Sequence, residues 1–284
     1  MEQTKQISNG LRDWIIQTLK TGVSPEAIVD AMIRKGYDPR LSYTTLFRII
    51  GNKPIEATTN TNNTNHVYSH ETPEIGEKGN TIYTSDREVK VLTRVEKPFI
   101  LHLDNILSDE ECDELVTLSR DRLKPSTVID PNTGEVKAAT GRTSKGTYYA
   151  INENSLISKI EARISEVTNF PVENGEGLQV LNYDIGEEYR PHFDYFPPNK
   201  VDHSKGGQRV GTLLFYLNDV RSGGETVFPN AGISIVPKKG TAVYFHYGNS
   251  QNQVDRRSLH ASVPVLEGEK WVATKWIRQA SIYS

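Results

Sequence analysis

The stretch EEYRPHFDYF, residues 187–196, places His192 and Asp194 two positions apart, among aromatics and next to Pro191. Both side chains are costly to bury without partners. In a strand, residues i and i+2 point to the same side, about 7 Å apart. In a helix they would diverge by about 200°. An imidazole and a carboxylate therefore converge here only on an extended backbone, so the stretch asks for a β framework.

The downstream sequence supplies one. After residue 177 come short apolar runs broken by Gly and Pro: GLQVLNY, VGTLLFYLN, ETVFP, ISIVP, GTAVYFHY, ASVPVLEG and KWVATKWIRQ. Many short strands with turn signals predict a β-sandwich or barrel. Upstream, FILHLDNIL reads as a strand. SDEECDELVTLSRDRL reads as a helix opened by a Ser108–Glu111 capping box. SLISKIEARISEVTNF is an amphipathic helix with Leu156, Ile160, Ile164 and Val167 on one face. These two helices are expected to cover one sheet face.

Residues 1–53 have a different texture. LRDWIIQTLK repeats apolar residues at helical spacing, SPEAIVDAMIRKG carries a helix start at Ser24–Pro25 and a stop at Gly36, and SYTTLFRIIG predicts a third short helix. The polar run PIEATTNTNNTNH follows, too poor in apolar residues to order itself. The expected organisation is a small helical domain at 1–53, a flexible linker at 54–81 and a mostly β domain at 82–284. The N-terminal helices are candidates for binding a partner, self-association or substrate recruitment.

Charge is close to balanced, with 33 basic and 36 acidic residues, so nothing favours nucleic acid or an anionic membrane. No apolar run reaches the length of about 18 residues that a membrane span needs. The opening MEQTKQISNG shows no secretory signal, and the single cysteine, Cys112, fits a reducing compartment. A cytoplasmic location is the expectation.

A third histidine, His260 in RRSLHASVPV, completes two imidazoles and one carboxylate. That is the ligand set of the facial triad of non-haem Fe(II) oxygenases, which leaves open positions on the metal. Among the other histidines, His246 at the end of an apolar strand is the main competitor. The surrounding motifs point the same way. GLQVLNYDIGEEYRPHFDYF, GGETVFP, PKKGTAVYFH, LHASVPVLEGEKWVATKWIR and the earlier GRTSKGTYY resemble, in order over about residues 97–280, the prolyl 4-hydroxylase branch of the Fe(II)/2-oxoglutarate dioxygenases.

The resemblance implies a double-stranded β-helix (jelly-roll) with flanking helices, and hydroxylation of proline C4 in a peptide or protein with Fe(II), 2-oxoglutarate and O₂, with ascorbate in support. It implies metal roles for His192, Asp194 and His260. It implies cosubstrate roles for Lys270, Tyr183 and Thr226, and substrate contacts for Tyr189, Arg209, Trp276 and Arg142. Lys270 and Arg278 share a strand face but lie about 27 Å apart, so only one can anchor the cosubstrate, and the motif favours Lys270. Two long loops, 124–146 and 196–209, are candidates to close over a peptide. Two other readings stay open: the same chemistry on another residue or a free amino acid, and a non-catalytic metal-binding module of cupin-like fold.

Overall fold

A computed structural model describes residues 7–23, 25–51, 68–129, 136–138 and 142–283. Two β-sheets face one another. The major sheet has nine strands in the order 81–83, 88–95, 99–104, 242–246, 209–216, 270–278, 178–183, 145–149 and 124–125. The minor sheet has four, in the order 233–235, 226–228, 260–262 and 189–192. This is the expected double-stranded β-helix with its flanking helices. Among the described residues no helix is long and apolar enough to cross a membrane.

Strand alternation decides what each face carries. On Lys270–Arg278, residues Lys270, Val272, Thr274 and Trp276 point between the sheets. Trp271, Ala273 and Ile277 point outward into the main core. There they meet Leu115, Leu156, Ile160 and Ile164 from the helices Asp109–Arg120 and Ser155–Thr168. The capping box of the first of these helices forms: the Glu111 backbone N–H donates to Ser108 Oγ at 3.2 Å, and the Ser108 N–H to Glu111 Oε2 at 2.9 Å.

The outer face of the minor sheet is covered by the N-terminal helices Asn9–Lys20, Pro25–Arg34 and Pro39–Gly51. Ile28, Val29, Met32 and Leu46 form one core with Val227 and Ala261 of that sheet and with Val263 just beyond it. The helices therefore do not bury their apolar faces only against each other. A unit of about 50 residues makes a marginal core, and this one completes its core on the β domain. The third helix starts earlier than the SYTTLFRIIG pattern suggests, because Asp38 Oδ1 accepts the Leu41 N–H at 3.0 Å ahead of Pro39.

Half of the expected linker, residues 54–67, and Ser24 lie outside the described residues. The part from Tyr68 to Thr81 departs from the linker expectation. Tyr68 donates to the Gly248 carbonyl, Glu71 accepts from the Ser250 N–H, and Ile75 is fully buried. One apolar anchor and a few specific hydrogen bonds order a segment whose composition alone reads as polar.

A charge cluster locks helix Ser155–Thr168 to this scaffold. Arg163, only 1% exposed at its side chain, donates to both oxygens of Glu111 at 2.8 and 2.9 Å, to Asp86 Oδ1 at 3.0 Å and to the Ile106 carbonyl at 2.8 Å. Hydrogen bonding from Arg163 holds the Asp86 pKa down at about 2. Glu111 also sits at about 2, where Arg163 and the Ser108 N–H outweigh the opposing effect of burial. Both carboxyls thus titrate lower folded than unfolded. Their stabilisation is complete above about pH 4.5 and is lost as pH falls toward about 2. Arg163→Met should cost about 1–3 kcal/mol in urea unfolding at neutral pH, because it removes the buried cation between two carboxylates that keep only Lys159 and, at Glu111, Arg87 beside them. It should also flatten the acid limb of the stability profile between those pH values.

Candidate metal centre

Strand Tyr189–His192 pairs antiparallel with His260–Ser262, His260 opposite His192 and Ser262 opposite Tyr189. Two steps on one strand match three on the other, so the first strand carries a bulge. The bulge turns both Tyr189 and His192 into the space between the sheets, which strict alternation would forbid. Pro191 is tolerated there because it lies in the bulge of an edge strand. His192 is the last residue of the strand, and Asp194 lies in the bend that follows. The extended stretch expected from the sequence ends one residue early, and the convergence survives.

His192, Asp194 and His260 offer ligand atoms that all lie within 4.8 Å of one another. His192 Nε2 is 3.5 Å from Asp194 Oδ1, and His260 Nε2 is 3.7 Å from Oδ2. The other ring nitrogens face carbonyls: His192 Nδ1 donates to Arg190 O at 2.8 Å and His260 Nδ1 to Ser258 O at 3.0 Å. A carbonyl can only accept, so both Nδ1 atoms carry the proton when the rings are neutral. Both Nε2 lone pairs then point at the carboxylate, the tautomer a metal ligand needs. Burial and the neighbouring His192 push the His260 pKa down to about 4, against the pull of Asp194, which keeps this imidazole neutral. Burial opposes ionisation of Asp194, but His260, His192 and Arg209 together outweigh it and hold this carboxyl far below its usual range. Asp194 Oδ2 accepts from Thr212 Oγ1 at 2.7 Å, and Thr212 is itself 3.0 Å from Tyr247 Oη. These features fit a divalent transition metal held by two imidazoles and one carboxylate.

A pocket of about 450 Å³, counting its open mouth, runs from these three residues to Lys270. Tyr183, Thr226, Tyr189, Trp276 and Arg142 all line it. Lys270 is 1% exposed and donates to Ser262 Oγ at 2.7 Å. Burial lowers its pKa to about 7, with Glu225 pulling the other way. A buried ammonium whose close partner is one hydroxyl fits the carboxylate of a small dicarboxylate. Tyr183 sits opposite Lys270 in the strand register, and Thr226 Oγ1 accepts from Tyr216 Oη at 2.8 Å. Tyr189 stacks on His192, ring centroids 3.5 Å apart, and Arg142 lies 4.9 Å over the Tyr189 ring.

Two expectations are revised, those for Arg209 and for the 196–209 loop. Arg209, implied as a peptide contact, sits behind the pocket wall. It makes a bidentate pair with Glu176 at 2.7 Å, donates to the Asp194 carbonyl at 3.2 Å, and lies 4.0 Å over the Trp276 ring. It holds Asp194 and Trp276 in place. Arg278 pairs with the same Glu176 and lies over Phe196, at the far end of the strand from Lys270. Of the candidate covering loops, 124–146 forms a hairpin of strands 127–129 and 136–138, with much of the rest outside the described residues. The 196–209 loop is pinned by Gln208, which bonds the Phe196 N–H and carbonyl at 2.7 and 2.8 Å, and residues 196–208 do not line the pocket.

His246 lies apart from the cluster. Its strand neighbour Phe245 faces the pocket, so His246 faces the opposite side, where its Nδ1 is 2.8 Å from Tyr244 Oη. Thr212, Ser262, Tyr247 and Tyr216 escaped the sequence reading. For Thr212 and Ser262 the available signal was a small polar residue at an inward position of an otherwise apolar strand.

Comparison with known proteins adds an independent line. Residues 178–278 match the 2OG-Fe(II) oxygenase superfamily. Prolyl 4-hydroxylase 5 of Arabidopsis thaliana is 40% identical over 232 residues, covering 75% of this chain and 77% of that protein. Prolyl 4-hydroxylase subunit alpha-1 of Gallus gallus is 41% identical over 187 residues, covering 65% of this chain and 36% of its own. Among solved structures, a viral collagen prolyl hydroxylase from Paramecium Bursaria Chlorella virus-1, in complex with 2OG, aligns with a TM-score of 0.52 at 31% identity, covering 63% of this chain and 95% of that one.

Arg209 offers a direct check on its revised role. Arg209→Met should weaken Co(II) binding to the metal-free protein by about 10-fold, as loss of an outer partner of a ligand does. A pure peptide contact would leave Co(II) titrations unchanged and raise only the peptide KM.

Proposed function

This chain belongs to the prolyl 4-hydroxylases of the 2OG-Fe(II) oxygenase superfamily, and we propose that it hydroxylates C4 of proline residues in a peptide or protein. The observation that carries this is the union, in one pocket, of the His192–Asp194–His260 cluster with the buried Lys270. A metal-storing module has no use for a buried cation beside its metal. Fe(II) with 2-oxoglutarate supplies O₂ activation coupled to decarboxylation, so that one oxygen atom enters succinate and the other enters the proline.

The chain's own residues then have defined tasks. His192 and His260 would hold the metal through their Nε2 atoms together with the Asp194 carboxylate, whose Oδ2 accepts from Thr212. Lys270, with Ser262, takes the far carboxylate of 2-oxoglutarate, and Tyr183 and Thr226 border it. Tyr189 and Trp276 wall the space for a proline ring, and Arg142 backs Tyr189. The Trp276 indole N–H is buried without an acceptor among the described residues, and a backbone carbonyl of a bound peptide would supply one. A free amino acid would instead bring two charged termini, and Lys270 is already engaged. Ascorbate as a supporting reductant, and a reducing, cytoplasmic setting consistent with the buried lone Cys112, belong to the same proposal.

The test is turnover of proline-containing peptides with Fe(II) and 2-oxoglutarate, following succinate and one added oxygen on proline by mass spectrometry. Free proline turned over as efficiently as every peptide offered would replace the peptidyl reading with a small-molecule one. His260→Ala should abolish metal binding and cut turnover by more than about 100-fold, beyond the range for outer-partner losses. Lys270→Ala should raise the 2-oxoglutarate KM by about 10- to 100-fold, the worth of a charge-assisted hydrogen bond, with Co(II) affinity nearly unchanged.

The pH dependence follows from the same lysine. With its free-protein pKa at about 7, Lys270 is an ammonium below that pH and increasingly neutral above it. A dicarboxylate prefers the ammonium, so its affinity should be level below about pH 7 and fall by up to about tenfold per unit above it. Calorimetry in buffers of different ionisation enthalpy should register proton uptake on binding at about pH 8 and little at about pH 6.

A further inference from the structure

The N-terminal helices reach the metal centre through one side chain. The bulge in strand Tyr189–His192 sends Tyr189 and His192 inward and leaves Arg190 facing the helices. Arg190 Nη2 is 3.2 Å from Asp30 Oδ2 on helix Pro25–Arg34. Its Nε donates to Glu188 Oε1 at 3.2 Å, and the other oxygen of Glu188 accepts from Tyr43 Oη at 2.9 Å, on helix Pro39–Gly51. The backbone carbonyl of the same Arg190 accepts the Nδ1 proton of His192. Two helices thus clamp the residue that fixes both the tautomer and the direction of a ligand ring. A second tie joins Arg40 to Glu225 at 3.3 Å, next to Thr226 of the pocket.

We propose that Arg190 is a positioning residue and that Asp30, Tyr43 and Glu188 hold it, which makes the N-terminal helices part of the apparatus that shapes the metal centre. The inference rests on the assignment of His192, Asp194 and His260 as metal ligands. Magnitudes locate the effect. The Asp30–Arg190 pair is about one-third exposed on both sides, and such pairs contribute only about 0–1 kcal/mol to stability. Tyr43 is 1% exposed, and its hydroxyl bond to Glu188 is the better protected one. Neither bond is needed to hold the helices on, because Val29, Met32 and Leu46 already pack against Val227, Ala261 and Val263. What the polar clamp adds is a fixed geometry of the bulge, and through it of the His192 ring and the Tyr189 ring stacked on it.

The test uses the full chain, stripped of metal and titrated with Co(II) under anaerobic conditions, with the visible ligand-field spectrum as readout. Arg190→Met should raise the Co(II) Kd by about 10-fold and alter the spectrum, as disturbance of a ligand's outer partner does. Arg190→Lys should recover part of that loss. The pair Asp30→Ala with Tyr43→Phe touches only the helices and should shift Kd and spectrum in the same direction. The 2-oxoglutarate KM should stay near wild type while kcat falls, since Lys270 and Ser262 are not held by the clamp. If Arg190→Met does not fold, the helix pair decides alone. Folded variants with wild-type Kd and spectrum overturn the inference. Failure of the wild type to bind Co(II), or wild-type binding by His192→Ala, overturns the ligand assignment itself, a separate result.

Discussion

The centre of this molecule is organised around keeping one oxygen of a buried carboxylate free. Asp194 is 8% exposed, and a charge at that depth must be compensated. Compensating both oxygens fully would leave nothing for a metal. The fold divides the work: Thr212 donates to Oδ2, while Oδ1 faces the His192 ring. The imidazoles are arranged so that neither spends its lone pair on the protein. Carbonyls of Arg190 and Ser258 take the Nδ1 protons, and burial disfavours a second proton on His260. Each of these requirements reaches back into the fold. The carbonyls need the 189–192 bulge and the 256–258 turn, and Thr212 needs its strand in the facing sheet.

That dependence explains what the sequence could and could not disclose. The HxD spacing, the distal His260 and the lysine ten residues later are local patterns on strands, and period-two alternation carries them into space unchanged. The same rule separated Lys270 from Arg278, and the structure gives the two cations different employment. The helices of residues 109–120 and 155–168 were equally legible, because their apolar faces and caps are written within one element. Contacts between elements were not. Nothing local in RVGTLLFYL says that Thr212 meets Asp194, and nothing near Arg209 says that Glu176 will take its guanidinium. The N-terminal helices looked separable because amphipathic helices declare that they have an apolar face without naming its counterpart. Their counterpart is the set Val227, Ala261 and Val263, which in the sequence are only apolar residues in, or directly after, two ordinary strands.

The bulge shows a further limit of pattern reading. Strict alternation would send Tyr189 and His192 to opposite faces, so one of the two would have to be discounted. An extra residue opposite the His260–Ser262 strand allows both inside, and Pro191 within it is compatible with the lost ladder bond. Bulges commonly re-aim a side chain in this way, and their position follows from the pairing partner, which lies some 70 residues away in this chain.

The strand Lys270–Arg278 carries its own control for the electrostatic argument. Lys275 and Lys270 are each 1% exposed, and burial lowers the pKa of both. Their odd and even positions send them to opposite faces. On the outer face Lys275 meets Glu161, also 1% exposed, at 2.5 Å. The fold thus sets a carboxylate against one buried lysine. On the inner face, Lys270 has a serine hydroxyl in close contact and Glu225 only as a more distant charge. Two ammonium groups at equal depth face the same desolvation cost, so the missing counter-charge at Lys270 is a feature of the site and not of buried lysines in this fold. A ligand carboxylate at that position completes for Lys270 what Glu161 completes for Lys275. It does so at the closed end of a pocket whose other end is the His192–Asp194–His260 cluster.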